Sequence, residues 1–495
     1  MMNEDKSMVS KELNENKNYL QLQFKNNIGV VFYEFRTFSG IRTLVIYIEE
    51  LVNKEILDRD ILKNFINKSK EDVNCYDKLS SEDIKILLAV SNIKESKNLD
   101  KIIEDLLNGN AVIFIDGLDT AFLIPVYGWE KREIREPESE SVVRGPREGF
   151  VESINVNRSL LRRKIKNKNL MFENIIIGKQ TRTNVNLAYI DGIVNIKILE
   201  EVRVRLSKID IDGILDSGYI EEFIKDDPLS PFNTVGNTER PDIVAGKILE
   251  GRIAILCDGS PSVLTVPFIF LENFQSNEDY YDNFMISSIN RIVRFTSFLL
   301  TTMIPAIYIS LVAYHQEMIP AKLLFSFISA RQGVPFPTVV ETLGMIFVFQ
   351  LLRETGVRMP GAFGQTIGIV GALILGTAAV DARIISAPMV IVIAITGISS
   401  FLIHNILGAV VIVRIVLVIL ASILGLYGLM FGIIILFLYL VSIRSFGIPY
   451  MTGLSSFRLQ EMKDTIIRAP WWYMYFRQRF IAKNNIVRKG GSDKQ

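Results

Sequence analysis

The chain has 495 residues, and its 55 basic side chains against 54 acidic ones give a formal net charge of +1. This balance gives no reason to expect nucleic acid as a partner. The residues before position 290 are rich in charge, whereas residues 295–443 are dominated by Ile, Leu, Val, Ala and Gly. This division excludes a wholly soluble enzyme and predicts a soluble part followed by a membrane part.

The residue types that carry most enzyme chemistry are scarce. There are two cysteines and two histidines, too few for a disulfide framework or a multi-histidine metal site. We find no CxxC pair, glycine-rich phosphate loop or nucleophile–base pair in the sequence. We therefore expect a protein that is not an enzyme, with no catalytic residue, no metal site and no cofactor.

Residues 1–38 are polar and contain no apolar core of the signal-peptide type. We predict a flexible N-terminal segment there. We also expect the whole soluble part of the chain to stay in the cytoplasm.

Two segments of the soluble part repeat with a constant offset. Residues 45–53 (VIYIEELVN) reappear as 187–195 (LAYIDGIVN), and residues 109–117 reappear as 251–259, both 142 positions later. A register that holds over such a distance is the signature of an internal repeat. We predict two tandem copies of one unit, as cytoplasmic subdomains over 39–130 and 181–290.

Each copy has the same local pattern. A β-rich apolar run leads into helical patterns, and a glycine then precedes a hairpin turning at Asp116-Gly117 or Asp258-Gly259. Asp-Gly supplies the positive φ that a tight turn needs. Each copy is therefore predicted to be α/β. Because the turn is duplicated, a shared structural need is favoured over a binding site at Asp258 and Gly259.

The copies are joined by a predicted linker over 131–180 that contains a basic helix. Its cations are Arg158, Arg162, Arg163, Lys164, Lys166 and Lys168. The favoured interpretation is a solvated ion-pair network. The alternative is a helix that lies near anionic lipid headgroups or a partner subunit.

The α-helical, polytopic membrane domain is predicted over 291–443. Six apolar stretches can be drawn, at 295–314, 339–352, 361–380, 384–403, 408–426 and 429–443. The tail over 444–495 is basic, so the positive-inside rule places it in the cytoplasm. With both termini inside, the number of crossings is even: six is favoured and four is the alternative. Trp471, Trp472, Tyr473 and Tyr475 are candidates to lie at the headgroup level.

Small residues follow each other at four-residue spacing in the third apolar stretch: Gly364, Gly368, Ala372 and Gly376, with Gln365 beside them. This face favours either packing within the chain or contact with another subunit or a pore. Arg414 is an intramembrane charge, and either couples conformational change or reaches the cytoplasmic surface. Glu341 and His404 are weaker candidates, expected at the interface.

Several motifs in chain order resemble the A subunits of GerA-type spore germinant receptors. They are TERPD at 238–242, LEGR at 249–252, DGSP at 258–261, EDYY at 278–281, YHQE at 314–317, LRE at 352–354, GIVG at 368–371 and FGIPY at 446–450. The resemblance covers the chain from about residue 43 to residue 450.

The resemblance implies an A subunit of the inner spore membrane that works with a transporter-like B subunit and a lipoprotein C subunit. A subunits are thought to form a homo-oligomeric, nutrient-gated ion channel that initiates germination. Within this hypothesis we expect contacts between the two copies at Arg135, Glu136, Arg144, Gly145, Pro146, Glu239, Arg240, Pro241, Asp242, Asp258 and Gly259.

Two rival hypotheses make different demands on the sequence. A stand-alone transporter for ions or small solutes calls for repeated hydrophobic segments with broken helices in matching positions. The repeat found here lies in the soluble part, which argues against that reading. A membrane-anchored enzyme calls for a carboxylate cluster, a histidine pair or a phosphate loop near the interface.

Overall fold

The structure is a computed structural model, and it describes residues 8–25, 27–37, 40–63, 65, 93–128, 140, 142, 144–358, 376–453, 464–478, 480–482 and 485–488. The chain divides into two compact units. The first unit, which we call the repeat unit, comprises Met1–Asp226, Val235–Pro267 and Tyr475–Gln495. The second, the helical unit, comprises Asp227–Thr234 and Phe268–Met474.

The first copy in the repeat unit is an antiparallel sheet with helices. In chain order its elements are α1 (Leu13–Gln23), β1 (Val30–Arg36), β2 (Arg42–Ile48), α2 (Lys54–Ile56) with a π-helical continuation (Leu57–Leu62), β3 (Lys94–Ser96), α3 (Leu99–Leu107), β4 (Asn110–Ile115) and β5 (Ala121–Pro125). The strand order is β1-β2-β4-β5-β3. The central strands are apolar on both faces because both faces are buried in hydrophobic clusters.

The second copy repeats this arrangement. Its elements are α4 (Ile154–Lys164), β6 (Leu170–Ile177), β7 (Thr183–Ile190), α5 (Ile196–Ser207), α6 (Ser217–Ile224), β8 (Gly236–Thr238), α7 (Pro241–Leu249), β9 (Ile253–Cys257) and β10 (Val263–Val266). The strand order β6-β7-β9-β10-β8 is that of the first sheet, position for position. The predicted α/β tandem repeat is therefore confirmed.

Each copy begins earlier than the constant register indicated. Helix α1 and strand β1 occupy the same places in the first copy as α4 and β6 in the second. In the sheets, Val30 pairs with Ile48 as Leu170 pairs with Ile190, so the offset between the copies is two positions shorter here than from β2 onward. The structure thus places a helix and a strand in residues 1–38, where a flexible segment was expected, and the basic helix belongs to the second copy.

Side-chain caps explain where several helices begin. Asn53 and Asn195, which occupy equivalent places in the two copies, each accept a hydrogen bond from a backbone N–H in the first turn of the following helix. Asn98 does the same for α3. The equivalent helix α7 starts instead with Pro241 at its first position, where a missing N–H costs nothing. The two copies therefore reach the same fold with partly different local signals.

The helical unit is built from long apolar helices. They are α8 (Phe284–Ile309) with a π-helical turn (Ser310–Tyr314), α9 (Ala321–Arg331), α10 (Thr338–Arg358), α11 (Ala387–Phe401) and α12 (Leu407–Ser442). Short 3₁₀ helices lie at Phe270–Phe274, Asn277–Tyr280, Gln316–Met318, His404–Ile406 and Trp471–Tyr473, and a two-stranded hairpin joins β11 (Arg444–Ser445) to β12 (Ile448–Pro449). The C-terminal part is therefore helical, as expected.

Helix α12 is two helices joined by a sharp reversal. Gly425 has a φ of +60°, outside the helical region. A Cβ added at Gly428 would lie 2.1 Å from the backbone oxygen of Leu420, and one at Gly432 would lie 2.6 Å from Leu417. Residues eight apart in a straight helix are separated by about 12 Å. The halves therefore fold back on each other, at the break expected between the fifth and sixth apolar stretches.

Among the described residues, two helical stretches are long and apolar enough to cross a membrane, Phe284–Tyr314 and His404–Ser442. Ala387–Phe401 is a shorter apolar helix. Most of the predicted third stretch, 361–380, lies outside the described residues. The number of crossings, six or four, therefore stays a prediction.

Candidate functional site

Arg240 is the centre of a buried contact in the second copy. Its side chain is 1% exposed and donates hydrogen bonds to the backbone oxygens of Glu140 (3.1 Å) and Pro146 (2.7 Å). It also pairs with the carboxylate of Asp242 at 3.0 Å. A guanidinium, with five donors in a fixed fork, suits such simultaneous contacts. The sequence-predicted residues Pro146, Arg240 and Asp242 are thus brought together.

The segment around this contact is anchored by further hydrogen bonds. The Phe150 N–H donates to the Glu239 carbonyl oxygen at 2.7 Å, and the Thr238 hydroxyl donates to the Glu140 carboxylate at 2.6 Å. Burial raises the pKa of Glu140, an effect that Thr238 and nearby cations oppose. These bonds join the connecting segment to the second copy, whereas contacts between the copies were expected from the sequence.

The remaining predicted residues of this group have simpler positions. Gly145, with a φ of +140°, follows Arg144 in an exposed bend, and Pro241 opens helix α7. Arg135 and Glu136 lie outside the described residues.

The Asp-Gly turns hold the helix at the start of each copy. Asp116 Oδ1 accepts a hydrogen bond from the N–H of Leu13, and Asp258 Oδ1 accepts one from the N–H of Ile154. The N–H of Gly259 donates to the Glu152 carbonyl oxygen in the same way that Gly117 donates to Lys11. Asp258 and Gly259 therefore make contacts inside the second copy, and the expectation that they lie between the copies is corrected.

The contact between the two copies is built on Glu50, which the sequence analysis missed. The Glu50 side chain is 1% exposed, and its carboxylate pairs with Arg158 at 2.8 Å and with Arg162 Nε at 3.8 Å. Arg162 also donates to the Asn27 side chain at 2.9 Å, and its guanidinium lies over the Phe172 ring at 4.9 Å. We call Glu50, Arg158 and Arg162 the buried ion cluster.

The basic helix agrees in part with the predicted ion-pair network, because Arg163 and Lys164 both pair with the partly exposed Glu148 at 3.0 Å. The buried ion cluster departs from both interpretations. Arg158 and Arg162 are 7% and 2% exposed, so neither faces solvent or lipid. Burial lowers the pKa of Arg162 to about 10, with Glu50 opposing and Arg158 adding to this effect, so that it stays charged at neutral pH. The signal in the sequence for this cluster was the four-residue spacing of Arg158 and Arg162, because residues four apart lie on one helix face.

An open cleft of about 630 Å³ lies beside the buried ion cluster. Its walls come from both copies, with Glu49, Glu50, Val52, Asn53, Lys54, Glu55 and Gly128 on one side and Ser153, Asn155, Val156 and Ser159 on the other. The described residues of the lining supply carboxylates, amides and hydroxyls, and none of them is a histidine or a cysteine. Within the described parts of the chain, no three His, Cys, Asp or Glu side chains are grouped so as to hold a metal ion.

Of Arg414 and the predicted small-residue face, only Arg414 and Gly376 lie in described segments. Arg414 is 2% exposed in helix α12, and its Nε has no hydrogen-bond partner in the structure as described. The Arg414 side chain is thus enclosed by protein. It does not reach the surface, as the alternative interpretation required. A Cβ added at Gly376 would touch Val390 at an ordinary 3.5 Å. Gly364, Gln365, Gly368 and Ala372 lie outside the described residues.

Glu341 is buried in the protein at 4% exposure, and its expected place at the membrane interface stays a prediction. Its carboxylate accepts hydrogen bonds from both the N–H and the hydroxyl of Ser386, each at 2.5 Å. Ser386 immediately precedes helix α11, so Glu341 satisfies a free N–H at that helix start. His404 lies in the short helix before α12.

A second buried network lies where helix α8 begins. Asp279 is 1% exposed and accepts hydrogen bonds from Arg291 (2.8 Å) and Arg294 (2.9 Å). Arg291 also pairs with Asp464 at 2.8 Å, and Asp464 accepts a hydrogen bond from the Tyr280 hydroxyl at 2.9 Å. The network fixes a segment from far along the chain to the first turns of the helix. The signal in the sequence for this network was the pair Arg291 and Arg294, three residues apart and directly before an apolar run.

Comparison with known proteins finds a matching family and relatives over most of the chain. Residues 18–480 match the family model described as Bacillus/Clostridium GerA spore germination protein. The chain is 43% identical to spore germination protein KA of Bacillus subtilis, over 91% of this chain and 82% of that protein. It is 41% identical to the uncharacterized membrane protein YfkQ of the same organism, over 96% and 93%.

Two further matches were found, one with a whole protein and one with a solved structure. Spore germination protein A1 of B. subtilis is 34% identical over 94% of this chain and 93% of that protein. A crystal structure of the N-terminal domain of the A subunit of the Bacillus megaterium spore germinant receptor GerK3 is 32% identical. It covers 53% of this chain and 98% of that chain, with a TM-score of 0.43.

Proposed function

The chain belongs to the Bacillus/Clostridium GerA family of spore germination proteins, and on this premise we propose that it is the A subunit of a nutrient-responsive germinant receptor. The observation that carries the proposal is the family match over residues 18–480. Several of its relatives are named as spore germination proteins. We assign it to the inner spore membrane with both termini in the cytoplasm.

The receptor hypothesis includes a transporter-like B subunit and a lipoprotein C subunit as partners, and a homo-oligomer of this chain as the channel. A ligand bound by a partner then shifts the equilibrium between closed and open arrangements of packed helices. The apolar character of Phe284–Tyr314 and His404–Ser442 favours a hydrophobic gate that opens by wetting. Residues Gly364, Gly368, Ala372 and Gly376 are the proposed packing or pore face.

Arg414 is the proposed coupling residue. It is a cation buried inside the helical unit, and charged residues inside membrane helices are expensive to maintain and commonly serve a function. A small movement of helix α12 changes the environment of its charge, which makes the side chain sensitive to helix packing. We therefore expect Arg414→Gln to impair the nutrient response, whereas the exposed Lys322→Gln leaves it intact.

Germination of spores that lack this gene tests the receptor role. Spores carrying the wild-type gene are expected to lose optical density and release dipicolinate with at least one nutrient of a panel, and deletion spores to fail with that nutrient. Equal responses of both kinds of spore to every nutrient would refute the role in germination.

Reconstitution tests the channel role separately. The purified chain is placed in planar bilayers with and without the partner subunits, and conductance is recorded against the same nutrients. We expect nutrient-dependent current that Gly368→Leu abolishes. Solute uptake without current would instead identify a transporter.

A further inference from the structure

Three consecutive large aromatic side chains stand exposed in one short helix of the helical unit. The short helix Trp471–Tyr473 follows Pro470, and its side chains are 45%, 57% and 55% exposed. Side chains of this size normally contribute their area to a core or an interface. Their exposure on a fixed turn therefore calls for a partner surface.

The turn is held in place by the beginning of helix α8. Trp471 Nε1 donates a hydrogen bond to the Tyr280 carbonyl oxygen at 3.3 Å, and the two rings lie 5.9 Å apart. The Trp472 ring meets the Phe284 ring edge-on at 6.0 Å. The Arg468 guanidinium lies 5.4 Å from the centre of the Trp471 ring. The aromatic turn is thus pre-organised before any partner arrives.

The surface next to this turn is also apolar. Five side chains in the first turns of helix α8 are 45–62% exposed: Met285, Ile286, Ile289, Ile292 and Val293. Two arginines interrupt them, the buried Arg291 at 1% exposure and the partly buried Arg294, and both pair with Asp279. The exposed face therefore presents hydrocarbon and indole, while the helix's charges are neutralised inside the unit. We call this face and the Trp471–Tyr473 turn the aromatic patch.

The position of the aromatic patch identifies its partner. The same helix, with its π-helical turn, forms the apolar stretch Phe284–Tyr314, which is long enough to cross a bilayer. Trp and Tyr concentrate at membrane–water interfaces, because their rings are apolar and their N–H or O–H groups remain hydrated. Arg468 is only 3% exposed and lies against the Trp471 ring, so it supports the aromatic turn from inside the unit.

We propose that the aromatic patch is a membrane-interface anchor, lying at the headgroup level where helix α8 enters the bilayer. The patch fixes the depth of this helix and, through Asp279, Arg291 and Asp464, links that depth to the segment after the last apolar helix. The inference rests on the proposed membrane role of the chain.

Tryptophan fluorescence tests the anchor in the full-length protein. The chain has three tryptophans, so Trp129→Phe leaves Trp471 and Trp472 as the fluorophores. The variant is reconstituted in phosphatidylcholine–phosphatidylglycerol vesicles whose lipids carry bromine near the glycerol backbone or near the bilayer centre. We expect the shallow bromines to quench about twofold more strongly than the deep ones, because indoles prefer the interface.

A matched depth marker separates this inference from the proposed function. In a background with Trp129, Trp471 and Trp472 all changed to Phe, Ile435→Trp places one indole at an exposed, apolar position of helix α12. Deep quenching of this marker with no bromolipid quenching of Trp471 and Trp472 overturns the anchor while membrane insertion stands. Quenching of neither set overturns both. Deep quenching of Trp471 and Trp472 also overturns the anchor, since it places the turn inside the hydrocarbon.

Discussion

The two copies in the repeat unit share one strand order and equivalent Asp-Gly turns. They differ in the turn that follows their second strands, β2 and β7. The first copy has Glu50, buried against Arg158 and Arg162, and the second has Gly192 in an exposed turn with open space around it. One buried carboxylate therefore turns an ordinary loop into an interface. The scaffold is common to both copies, and polar side chains on it decide which surfaces meet.

The same comparison explains the role of the C-terminal segment. At the end of helix α3 in the first copy, Asn108 accepts a hydrogen bond from Lys166 of the second copy. At the equivalent place in the second copy, Arg477 donates to the Leu249 carbonyl oxygen at 2.8 Å and Arg488 pairs with Glu250. The C-terminal segment thus covers the surface that a third copy would cover, as caps do in repeat proteins.

The largest expected effect is the loss of Glu50. Glu50→Ala leaves Arg158 and Arg162 buried without their carboxylate, and breaking a buried ion pair costs about 3–5 kcal/mol. At about 2–4 °C per kcal/mol, thermal unfolding of the full-length protein in detergent will show a clear drop in Tm. The control is Asp191→Ala, which removes an exposed carboxylate from the corresponding turn of the second copy and is expected to be nearly neutral. Equal shifts for both variants would mean that the cluster contributes nothing.

The variant Gly29→Ala tests the same contrast between the copies, because the added methyl group would fill the space that the Glu50 carboxylate occupies. Gly29 has a φ of +90°, and a Cβ there would lie 2.3 Å from a Glu50 carboxylate oxygen. Backbone strain and the displaced carboxylate together are expected to cost about 2–4 kcal/mol.

The matched control is Gly192→Ala. Its φ of +83° is similar and no atom lies within 4 Å, so it reports the backbone strain alone. The difference between the two Tm shifts measures the displacement of Glu50. Identical shifts would contradict the proposed steric requirement.

Ala482→Asp tests whether the C-terminal segment caps the second copy. Ala482 is fully buried, and a Cβ added at Gly251 would lie 3.2 Å from the Ala482 side chain. A charge at this site costs about 1–3 kcal/mol, because the segment can detach and so limits the penalty. We expect rapid proteolysis of the C-terminal segment, with Phe480→Asp at an exposed position as the control. Unchanged proteolysis of the Ala482 variant would refute the cap.

The smallest effect concerns Glu173 of the second copy, which accepts hydrogen bonds from Arg203 and Tyr189. Burial raises the pKa of Glu173, but hydrogen bonds from Arg203 and Tyr189 outweigh it and hold the pKa below its usual value. Glu173 occupies the place in the second sheet that Tyr33 occupies in the first: Tyr33 faces Val45 as Glu173 faces Leu187.

A carboxylate with a lowered folded-state pKa stabilises the protein above its unfolded pKa of about 4.3, and this contribution disappears as the pH falls through the folded-state value. Glu173→Gln should therefore cost less than about 1 kcal/mol at neutral pH and nothing in strong acid. Thermal unfolding across that pH range, with the exposed Glu222→Gln as the control, checks this. A cost that persists unchanged in acid would exclude the carboxylate as its source.

Much of the fold could be predicted from local patterns. The runs that became β2, β4, β7 and β9 are apolar and bounded by turn residues, and the constant register exposed their duplication. Helix α1 and strand β1 escaped because their offset from the second copy slips by two positions, which a search for one constant spacing does not detect.

The candidate site was less accessible to sequence reasoning. The sequence singled out Arg240, Asp242 and Pro146, and the structure joins them, but it also shows that they attach the connecting segment to the second copy. The contact between the copies depends on Glu50 and Arg158, which lie far apart in the chain, and nothing local marks one as the partner of the other.

The sequence by itself determined the two-part character of this protein, the duplicated α/β unit and the caps and turns, because these depend on residues close together in the chain. Tertiary structure alone decided which charges are buried. A charged side chain prefers water until a partner compensates its desolvation, and whether Arg162 or Arg291 has such a partner depends on chain segments that only folding brings together.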